Sequence, residues 1–317
     1  MTQFSDFNEI TNQFMPSATI PYMFDEGCYG LPDSQSFYMM FYRTDIFDEL
    51  GITVPNTWEE FISIVEIIQR NNMAIGVPYT GVDASGASSA GIGAKNIFSA
   101  LLLQSGGSFF NKKLSGTALL EENAKSSFKT WTELYSEYGL DLSYDFFNRF
   151  RTGEMPIGIA LYTSYNQLSI AAPEISGLWE MVAVPGTRKE DGSIDRSQGA
   201  SGTACVIPST TKNKEAAWEF VKFCASKEAQ EATAASAIPA YKGCDQIWAD
   251  TYSQYDAEKL LAGAYYEGSL GNPWWDKNFT DANTILTEAM TNIWADENAD
   301  IQAILDQCDA DIEAITK

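Results

Sequence analysis

The sequence predicts an α/β protein of two lobes, and three observations lead to this expectation. The chain has 317 residues, which is more than a single hydrophobic core usually holds. Hydrophobic residues make up 45% of the chain and charged residues 20%, which is typical of a globular protein with a sizeable core. Short apolar runs that fit strands alternate with amphipathic stretches that fit helices, and this alternation is the pattern of layered α/β folds.

The first part of the chain begins with a predicted short helix and loop over residues 1–27. The aromatic and apolar run at residues 37–42 predicts a buried strand, and residues 45–51 predict a helical turn that ends in a glycine. Thr57 and Glu60 have the spacing of a capping box, which predicts the start of the next helix. Its predicted apolar face consists of Trp58, Phe61, Ile62, Val65 and Ile68.

The middle of the chain predicts helices over residues 94–104, 121–138 and 143–152, and then a strand that ends at Tyr162. Long helical stretches separate this strand from the one at residues 37–42, so we expect the two to pair in parallel. Residues 76–93 are rich in Gly, Ala and Ser and predict a loop. They lack the order of a phosphate-binding loop, which argues against a nucleotide site there.

The last part of the chain predicts strands at residues 182–186 and 203–208, with a polar connector at 186–199 between them. A single helix is expected over residues 212–229, with Ala217, Phe220, Val221 and Cys224 on its buried face. Two apolar stripes predict two more helices. They consist of Ile285, Leu286, Ala289, Met290 and Ile293, and of Ile301, Ile304, Leu305, Cys308, Ile312 and Ile315.

The composition argues against several classes of function. The net charge of −23 makes nucleic acids and anionic lipid surfaces poor partners. The chain has no histidine, which excludes catalytic dyads and triads built on that residue and removes the commonest zinc ligand. Its five cysteines form no CxxC pair, and we expect no metal and no cofactor. The first ten residues are polar and acidic, so no signal segment is expected in this sequence.

Eight short segments, in the same order along the chain, resemble a known family. They are residues 29–32 (YGLP), 41–47 (FYRTDIF), 55–61 (PNTWEEF), 104–107 (QSGG), 150–154 (FRTGE), 184–186 (VPG), 207–210 (IPST) and 213–220 (NKEAAWEF). Together they resemble the maltose-binding-protein-like solute-binding proteins of ABC importers, the extracellular solute-binding family 1. One such segment alone would be a weak signal, whereas eight in the same order, spread from residue 29 to residue 220, are a strong one.

The resemblance implies a two-lobed, periplasmic-binding-protein-like (type II) fold with hinge crossovers and a ligand cleft between the lobes. Lobe I is expected to contain residues 1–34 and 190–238, lobe II residues 38–186 and 242–317, and the crossovers residues 34–37, 186–192 and 238–242. Members of the family normally begin with βα units upstream of the segment that Met1–Asp25 resembles. These units are not found here, so the resemblance implies that lobe I is incomplete in this sequence.

Sugars present apolar faces ringed by hydroxyl groups, so aromatic rings, carboxylates, amides and small residues are the expected ligand contacts. The resemblance places such residues at the crossover, after the strand that ends near Tyr162, in a small-residue loop and in a loop before a helix. The predicted contacts are Asp33, Ser34, Gln35 and Ser36; Asp83; Tyr162, Thr163 and Tyr165; Gly199, Ser201 and Gly202; and Trp274 and Trp275.

The function that the resemblance implies is that of an extracellular or periplasmic receptor, which hands a small solute, a sugar or oligosaccharide, to ABC permease subunits. We expect it to act as a monomer, with a membrane anchor in the full-length protein left open, and not to be an enzyme. Two alternatives stay open at this point. One is an interaction or scaffold fragment of a larger surface protein, and the other is a glycoside hydrolase that uses two carboxylates.

Overall fold

The structure is a computed structural model. It describes residues 1–19, 22–24, 27–79, 97–108, 111, 116–198, 201–234, 238–242, 244, 273–296 and 298–315. Within these ranges no helix combines the length and the hydropathy that crossing a lipid bilayer requires.

Helices and strands alternate through most of the described chain. The helices are α1 (Phe7–Thr11), α2 (Pro16–Thr19), α3 (Thr44–Leu50), α4 (Trp58–Arg70), α5 (Ile97–Gln104), α6 (Glu122–Ser136), α7 (Phe146–Thr152), α8 (Ser164–Ala171), α9 (Lys214–Cys224), α10 (Lys227–Thr233), α11 (Pro273–Ala295) and α12 (Ile301–Ala314). The strands are β1 (Met23–Phe24), β2 (Gly27–Cys28), β3 (Gly30–Ser36), β4 (Tyr38–Arg43), β5 (Ile75–Gly76), β6 (Ile157–Leu161), β7 (Trp179–Val182), β8 (Thr187–Arg188), β9 (Ile194–Asp195) and β10 (Ser201–Val206).

Four strands form a sheet in the order β5-β6-β4-β7. This sheet and the helices that cover it are called the second region, because the first region, described below, contains the start of the chain. The strand predicted at residues 37–42 is confirmed as β4, but the expectation of parallel pairing with β6 is wrong. β4 runs antiparallel to β6, with Tyr38 opposite Leu161. The chain crosses the sheet once more through β5, which runs parallel to β6, and α5, α6 and α7 then return it to the end at which it left β4.

Every residue of β4 is buried, because both faces of the sheet are covered. Tyr38, Met40 and Tyr42 join a cluster with α4, α5, α6, α11 and α12 on one face. Met39 and Phe41 join a second cluster with α7 and α8 on the other face. This alternation follows from the two-residue period of a strand.

A separate hydrophobic cluster forms the first region, which contains α1, β3, α9 and β10 as its main elements. Its buried members include Phe7, Phe14, Leu31, Trp218 and Val221. β3 and β10 pair antiparallel, and this two-stranded unit is called the ribbon below. β3 was not predicted as a strand, since its sequence (GLPDSQS) has no apolar alternation beyond Leu31.

The prediction of a single helix at residues 212–229 is wrong, since the chain forms two helices there, α9 and α10. Ser226 has an extended backbone and its side chain accepts a hydrogen bond from the Ala229 amide, so it begins a new helix. The predicted buried face is also partly wrong, because Phe220 is 65% exposed. Trp218, which was not assigned to that face, is buried.

The last predicted strand of the second region is displaced toward the N-terminus. It was expected at residues 182–186, whereas β7 occupies Trp179–Val182 and alternates between buried and exposed residues. Beyond it, Pro185 has no amide hydrogen for a sheet ladder, and Gly186 instead pairs with Thr57 in an isolated bridge. The polar connector that follows contains the short hairpin of β8 and β9.

Several local predictions are confirmed. Gly51 ends α3 in the left-handed conformation at φ 64°, and Thr57 accepts a hydrogen bond from the Glu60 amide at the start of α4. The Glu60 side chain accepts from the Asn56 amide at 2.7 Å, one residue before the N-cap amide that a capping box uses. The two apolar stripes near the end of the chain lie on α11 and α12, and Leu286, Met290, Leu305, Cys308 and Ile312 are buried.

Candidate functional site

The ribbon brings together two segments that lie far apart in sequence. Ser34 pairs with Thr203, and Gln35 pairs with Gly202, with a bulge between Thr203 and Ala204. A Cβ atom at Gly202 would lie 2.1 Å from the Ser34 carbonyl oxygen, so only glycine allows this close approach. Bulges of this kind redirect side chains and are common beside functional sites.

A small polar network, which we call the hydroxyl cluster, consists of Asp33, Ser34 and Thr203. The Ser34 and Thr203 hydroxyl oxygens lie 2.8 Å apart, and the Thr203 hydroxyl donates to Asp33 Oδ1. Thr203 is exposed, and Asp33 and Ser34 are partly exposed. The cluster therefore offers a carboxylate and two hydroxyl groups to solvent, which are the donors and acceptors that a ligand hydroxyl can use.

Neutral groups surround the Asp33 carboxylate. The Cys205 thiol donates to Asp33 Oδ2 over 3.9 Å. Burial raises the pKa of Tyr22 to about 12, and the negative charge of nearby Asp33 adds to the shift. Both groups are consequently protonated at neutral pH, and Asp33 supplies the negative charge among them.

Gln35 lies on the opposite side of the ribbon and points inward. Its side chain is 2% exposed, and its Nε2 donates to the Pro239 carbonyl at 3.1 Å. Its backbone amide donates to the Ile238 carbonyl at 2.8 Å. Among the described residues its Oε1 has no hydrogen-bond partner. Gln35 thus ties β3 to residues 238–239, whereas Ser34 is partly exposed to solvent.

Two further buried glutamines hold the segments where the chain passes between the regions, and sequence reasoning missed both. The Gln198 side chain accepts from the Tyr38 amide and donates to the Tyr38 carbonyl, both at 2.8 Å. Gln230 donates to the Pro32 carbonyl at 3.2 Å and accepts from the amides of Ala240 and Tyr241. A lone Gln in a polar stretch carries no sequence signal of burial, so only the fold reveals these contacts.

The residues predicted after β6 separate into different environments. Tyr162 is 1% exposed, and its ring packs against Phe37 with centroids 6.3 Å apart. Thr163 is exposed, and Tyr165 is partly buried with its ring edge-on to Trp179 at 5.5 Å. In this structure Tyr162 faces the core because the alternation of β6 continues one residue beyond the strand. A ligand contact from Tyr162 stays a prediction.

The structure describes only some of the remaining predicted contact residues. Ser36 pairs with Ser201 at the end of the ribbon. Asp83 and Gly199 lie outside the described residues. Trp274 and Trp275 were expected in a loop, which is wrong, because α11 already begins at Pro273. Proline is favoured at the first position of a helix, since its fixed φ suits the helix and its missing amide hydrogen is not needed there.

A groove of about 960 Å³ lies elsewhere, beside β7 in the second region. Its lining includes Tyr42, Trp179, Glu180 and, from the predicted contacts, Tyr165. The Tyr42 hydroxyl donates to Glu180 Oε2 at 2.7 Å. Neither the hydroxyl cluster nor the three glutamines line this groove, so the groove and the ribbon are separate places on the described part of the chain.

In the described part of the chain, no group of three or more Cys, Asp and Glu side chains is arranged to hold a metal ion. The hydroxyl cluster contains one carboxylate, which is too few for a calcium or magnesium site built from protein oxygens. What the cluster can do is exchange hydrogen bonds with a polar ligand.

Comparison with known structures shows the fold. A solute-binding protein from Thermotoga lettingae with bound tagatose superposes with a TM-score of 0.72 at 17% identity, over 98% of this chain and 78% of the other. The sugar-binding protein MalE of Xanthomonas citri gives 0.74 at 14% identity, over 96% and 75%. UgpB of Mycobacterium tuberculosis, in complex with glycerophosphocholine, gives 0.71 at 15% identity, over 98% and 77%. The chain therefore has the two-lobed α/β fold of these proteins.

The sequence comparison identifies the family. No curated protein sequence matches the chain. The profile described as bacterial extracellular solute-binding protein matches residues 4–231, which is well over half of the sequence. The resemblance found in the eight short segments is thereby confirmed, and the chain belongs to the bacterial extracellular solute-binding protein family.

Proposed function

We propose that the chain is the receptor of an ABC importer, which captures a neutral polyhydroxylated solute, a sugar or oligosaccharide, and delivers it to permease subunits. Family membership implies a periplasmic or extracellular location, which suits this task. The observation that carries the proposal is the hydroxyl cluster, because it combines Asp33, Ser34 and Thr203 on the ribbon that borders both regions.

The position of the cluster suits capture between two lobes. We assign residues 1–34 and 190–238 to lobe I, and residues 38–186 and 242–317 to lobe II. In support, Ile238 packs in a cluster of the second region whereas Ala240 packs in that of the first, so the chain passes between them there. Solute-binding proteins close around ligands by hinge motion, with a few residues absorbing the change.

The charge of the cluster favours a neutral ligand. Asp33 is its one ionisable group, and an anionic ligand would lie beside this carboxylate in a protein with a net charge of −23. A sugar hydroxyl can donate to the carboxylate and accept from Ser34 or Thr203 at the same time. Related structures hold tagatose and, in a protein from Agrobacterium radiobacter, ribitol, both neutral polyhydroxylated molecules.

A thermal-shift screen against monosaccharides, oligosaccharides, polyols and glycerophosphocholine tests the proposal, with product analysis of every hit. A ligand at 100 times its Kd stabilises the folded state by about 2.7 kcal/mol. For a chain of this length that raises Tm by about 4 °C. We expect a sugar or polyol to give this shift with no product formed. A shift confined to glycerophosphocholine, or conversion of a glycan, would contradict the proposal.

Two substitutions test whether the side chains of the hydroxyl cluster contribute to the binding free energy. Asp33→Asn removes the charge at nearly constant volume, and Thr203→Val removes the hydroxyl while keeping a β-branched residue on the strand. We expect each to weaken binding of the hit by about tenfold, because hydrogen bonds to a buried ligand are lost. Asp306→Asn, an equivalent change on the exposed side of α12, is the control and should leave Kd unchanged. Unchanged affinity in both ribbon variants would remove the site from the ribbon.

A further inference from the structure

Two cysteines of the first region lie on elements that pack against each other. Cys205 belongs to β10, and Cys224 is the last residue of α9. Val221, one turn before Cys224, and Ala225, immediately after it, are buried in the cluster that contains Leu31. Leu31 is the strand partner of Cys205. This packing holds the end of α9 over the ribbon and brings Cys224 to Cys205.

The two thiols are neighbours on these packed elements, and their surroundings differ from those of the other cysteines. Burial raises the pKa of Cys205 to about 11, and nearby Cys224 and Asp33 add to the shift. Both residues are partly exposed, whereas Cys28, Cys244 and Cys308 are buried. A soluble oxidant can thus reach this pair more readily than any other cysteine of the chain.

We propose that Cys205 and Cys224 are a disulfide-forming pair, which closes when the protein meets the oxidants of a periplasmic or extracellular space. Compartments outside the cytoplasm maintain disulfides, and the family is extracellular. The oxidant is a low-molecular-weight or protein disulfide. One protein thiolate attacks it and forms a mixed disulfide; the second protein thiolate then attacks that bond and expels the second thiol of the oxidant. Two protein thiols lose their protons and two electrons, and one external disulfide becomes two thiols.

Closure has two consequences for the first region. It links the end of α9 covalently to β10 across a short loop, which restricts the unfolded chain and stabilises the folded state. It also removes the thiol hydrogen that Cys205 donates to Asp33, a member of the hydroxyl cluster. This inference is independent of the ligand proposed above, since it rests on the packing of the end of α9 against the ribbon and on the position of a cysteine on each element.

The test uses the full chain, incubated folded with oxidised glutathione, then denatured, alkylated and analysed by peptide mass spectrometry. We expect two fewer alkyl groups than in the reduced protein, and one linked peptide that joins Cys205 to Cys224. Tm should rise by about 4 °C on oxidation. Reduction with dithiothreitol should reverse both changes.

Single variants complete the test. Cys205→Ser and Cys224→Ser should each abolish the linked peptide and the rise in Tm, whereas Cys28→Ser should retain both. Cys28 lies in the same region and donates to the Gly30 carbonyl, a hydrogen bond that serine can keep. Mapping of the wild-type chain suffices if a variant fails to fold. Full alkylation of all five cysteines after oxidation, or a linked peptide that joins another pair, would overturn the inference.

Discussion

β3 and β4 follow each other directly in the chain, yet they differ in almost every respect. β4 lies inside a four-stranded sheet, and all six of its residues are buried. β3 pairs only with β10 among the described strands and carries Asp33 and Ser34 toward solvent. β4 thus stabilises the fold through apolar contacts, whereas the ribbon keeps polar groups at the surface at the cost of apolar burial.

The largest expected difference between β4 and the ribbon is in the contribution of a side chain to stability. Phe41 on β4 is fully buried and lies 5.8 to 6.5 Å from the rings of Phe146, Trp179 and Phe150. Phe41→Ala should lower the free energy of unfolding by about 3–5 kcal/mol, because a cavity remains where the ring was. Val206→Ala, at a 60% exposed position of β10, should change it by less than about 0.5 kcal/mol. Denaturant unfolding measures both, and equal losses would contradict the comparison.

The second expected effect concerns the contact between the regions. Gln198→Ala leaves the amide and carbonyl of Tyr38 without the partners that they have now. Since unpaired buried backbone groups are costly, we expect a loss of about 2–3 kcal/mol in the free energy of unfolding. Gln302→Ala, at an exposed position of α12, is the matched control and should cost less than about 0.5 kcal/mol. A loss no larger than that of the control would show that Gln198 does not hold this junction.

A smaller, pH-dependent effect is expected at the far end of β4. Arg43 donates to both carboxylate oxygens of Asp45, at 2.9 and 2.7 Å, and these hydrogen bonds lower the pKa of Asp45. A lowered folded-state pKa stabilises the fold above the unfolded value and loses this effect as the pH falls. Asp45→Asn should therefore cost about 1 kcal/mol at neutral pH, a modest figure because Asp45 is 35% exposed.

The difference between wild type and Asp45→Asn should shrink as the pH falls below about 4, where the carboxyl group of the unfolded chain takes up a proton, and should vanish once the folded chain is protonated as well, at a lower pH. Unfolding by denaturant at several pH values measures it. A difference that stayed constant between neutral and acidic pH would show that the ion pair with Arg43 is not its cause.

The smallest expected effects are equal in the two regions. Thr57 begins α4 in the second region, and Ser226 begins α10 in the first; each side chain accepts a hydrogen bond from a backbone amide. Thr57→Ala and Ser226→Ala should each cost about 1 kcal/mol, because one amide at the helix start loses its partner. Clearly unequal losses would show that local capping, like core burial, depends on the region.

The same contrast explains what could be predicted from the sequence. β4, the Thr57 cap and the stripes of α11 and α12 follow from apolar spacing and short-range capping rules, which act over a few residues. The pairing of Ser34 with Thr203 joins residues far apart in the chain, and neither segment has a periodicity that predicts this strand pairing. Long-range pairing also decided the antiparallel arrangement of β4 and β6, which the sequence prediction had reversed.

The candidate site was predicted in part. Asp33 and Ser34 came from the family resemblance, and the structure joins them to Thr203, a residue that was not singled out although its neighbours Ser201 and Gly202 were. Gln35 was predicted as a ligand contact, which stays a prediction, and in this structure its side-chain amide donates to the Pro239 carbonyl. Ser34 and Gln35 differ because successive residues of a strand face opposite sides, whereas Asp33 and Ser34 both reach Thr203 beside the bulge, which the sequence did not predict.

Hydrogen exchange with and without the ligand identified by the screen tests the central claim most directly. If the solute binds at the ribbon, amides in residues 30–36 and 201–206 should exchange more slowly in the complex, with no change in residues 176–180 beside the groove of the second region. Protection confined to residues 176–180, with unchanged exchange in both strands of the ribbon, would contradict the account and move the binding site to that groove.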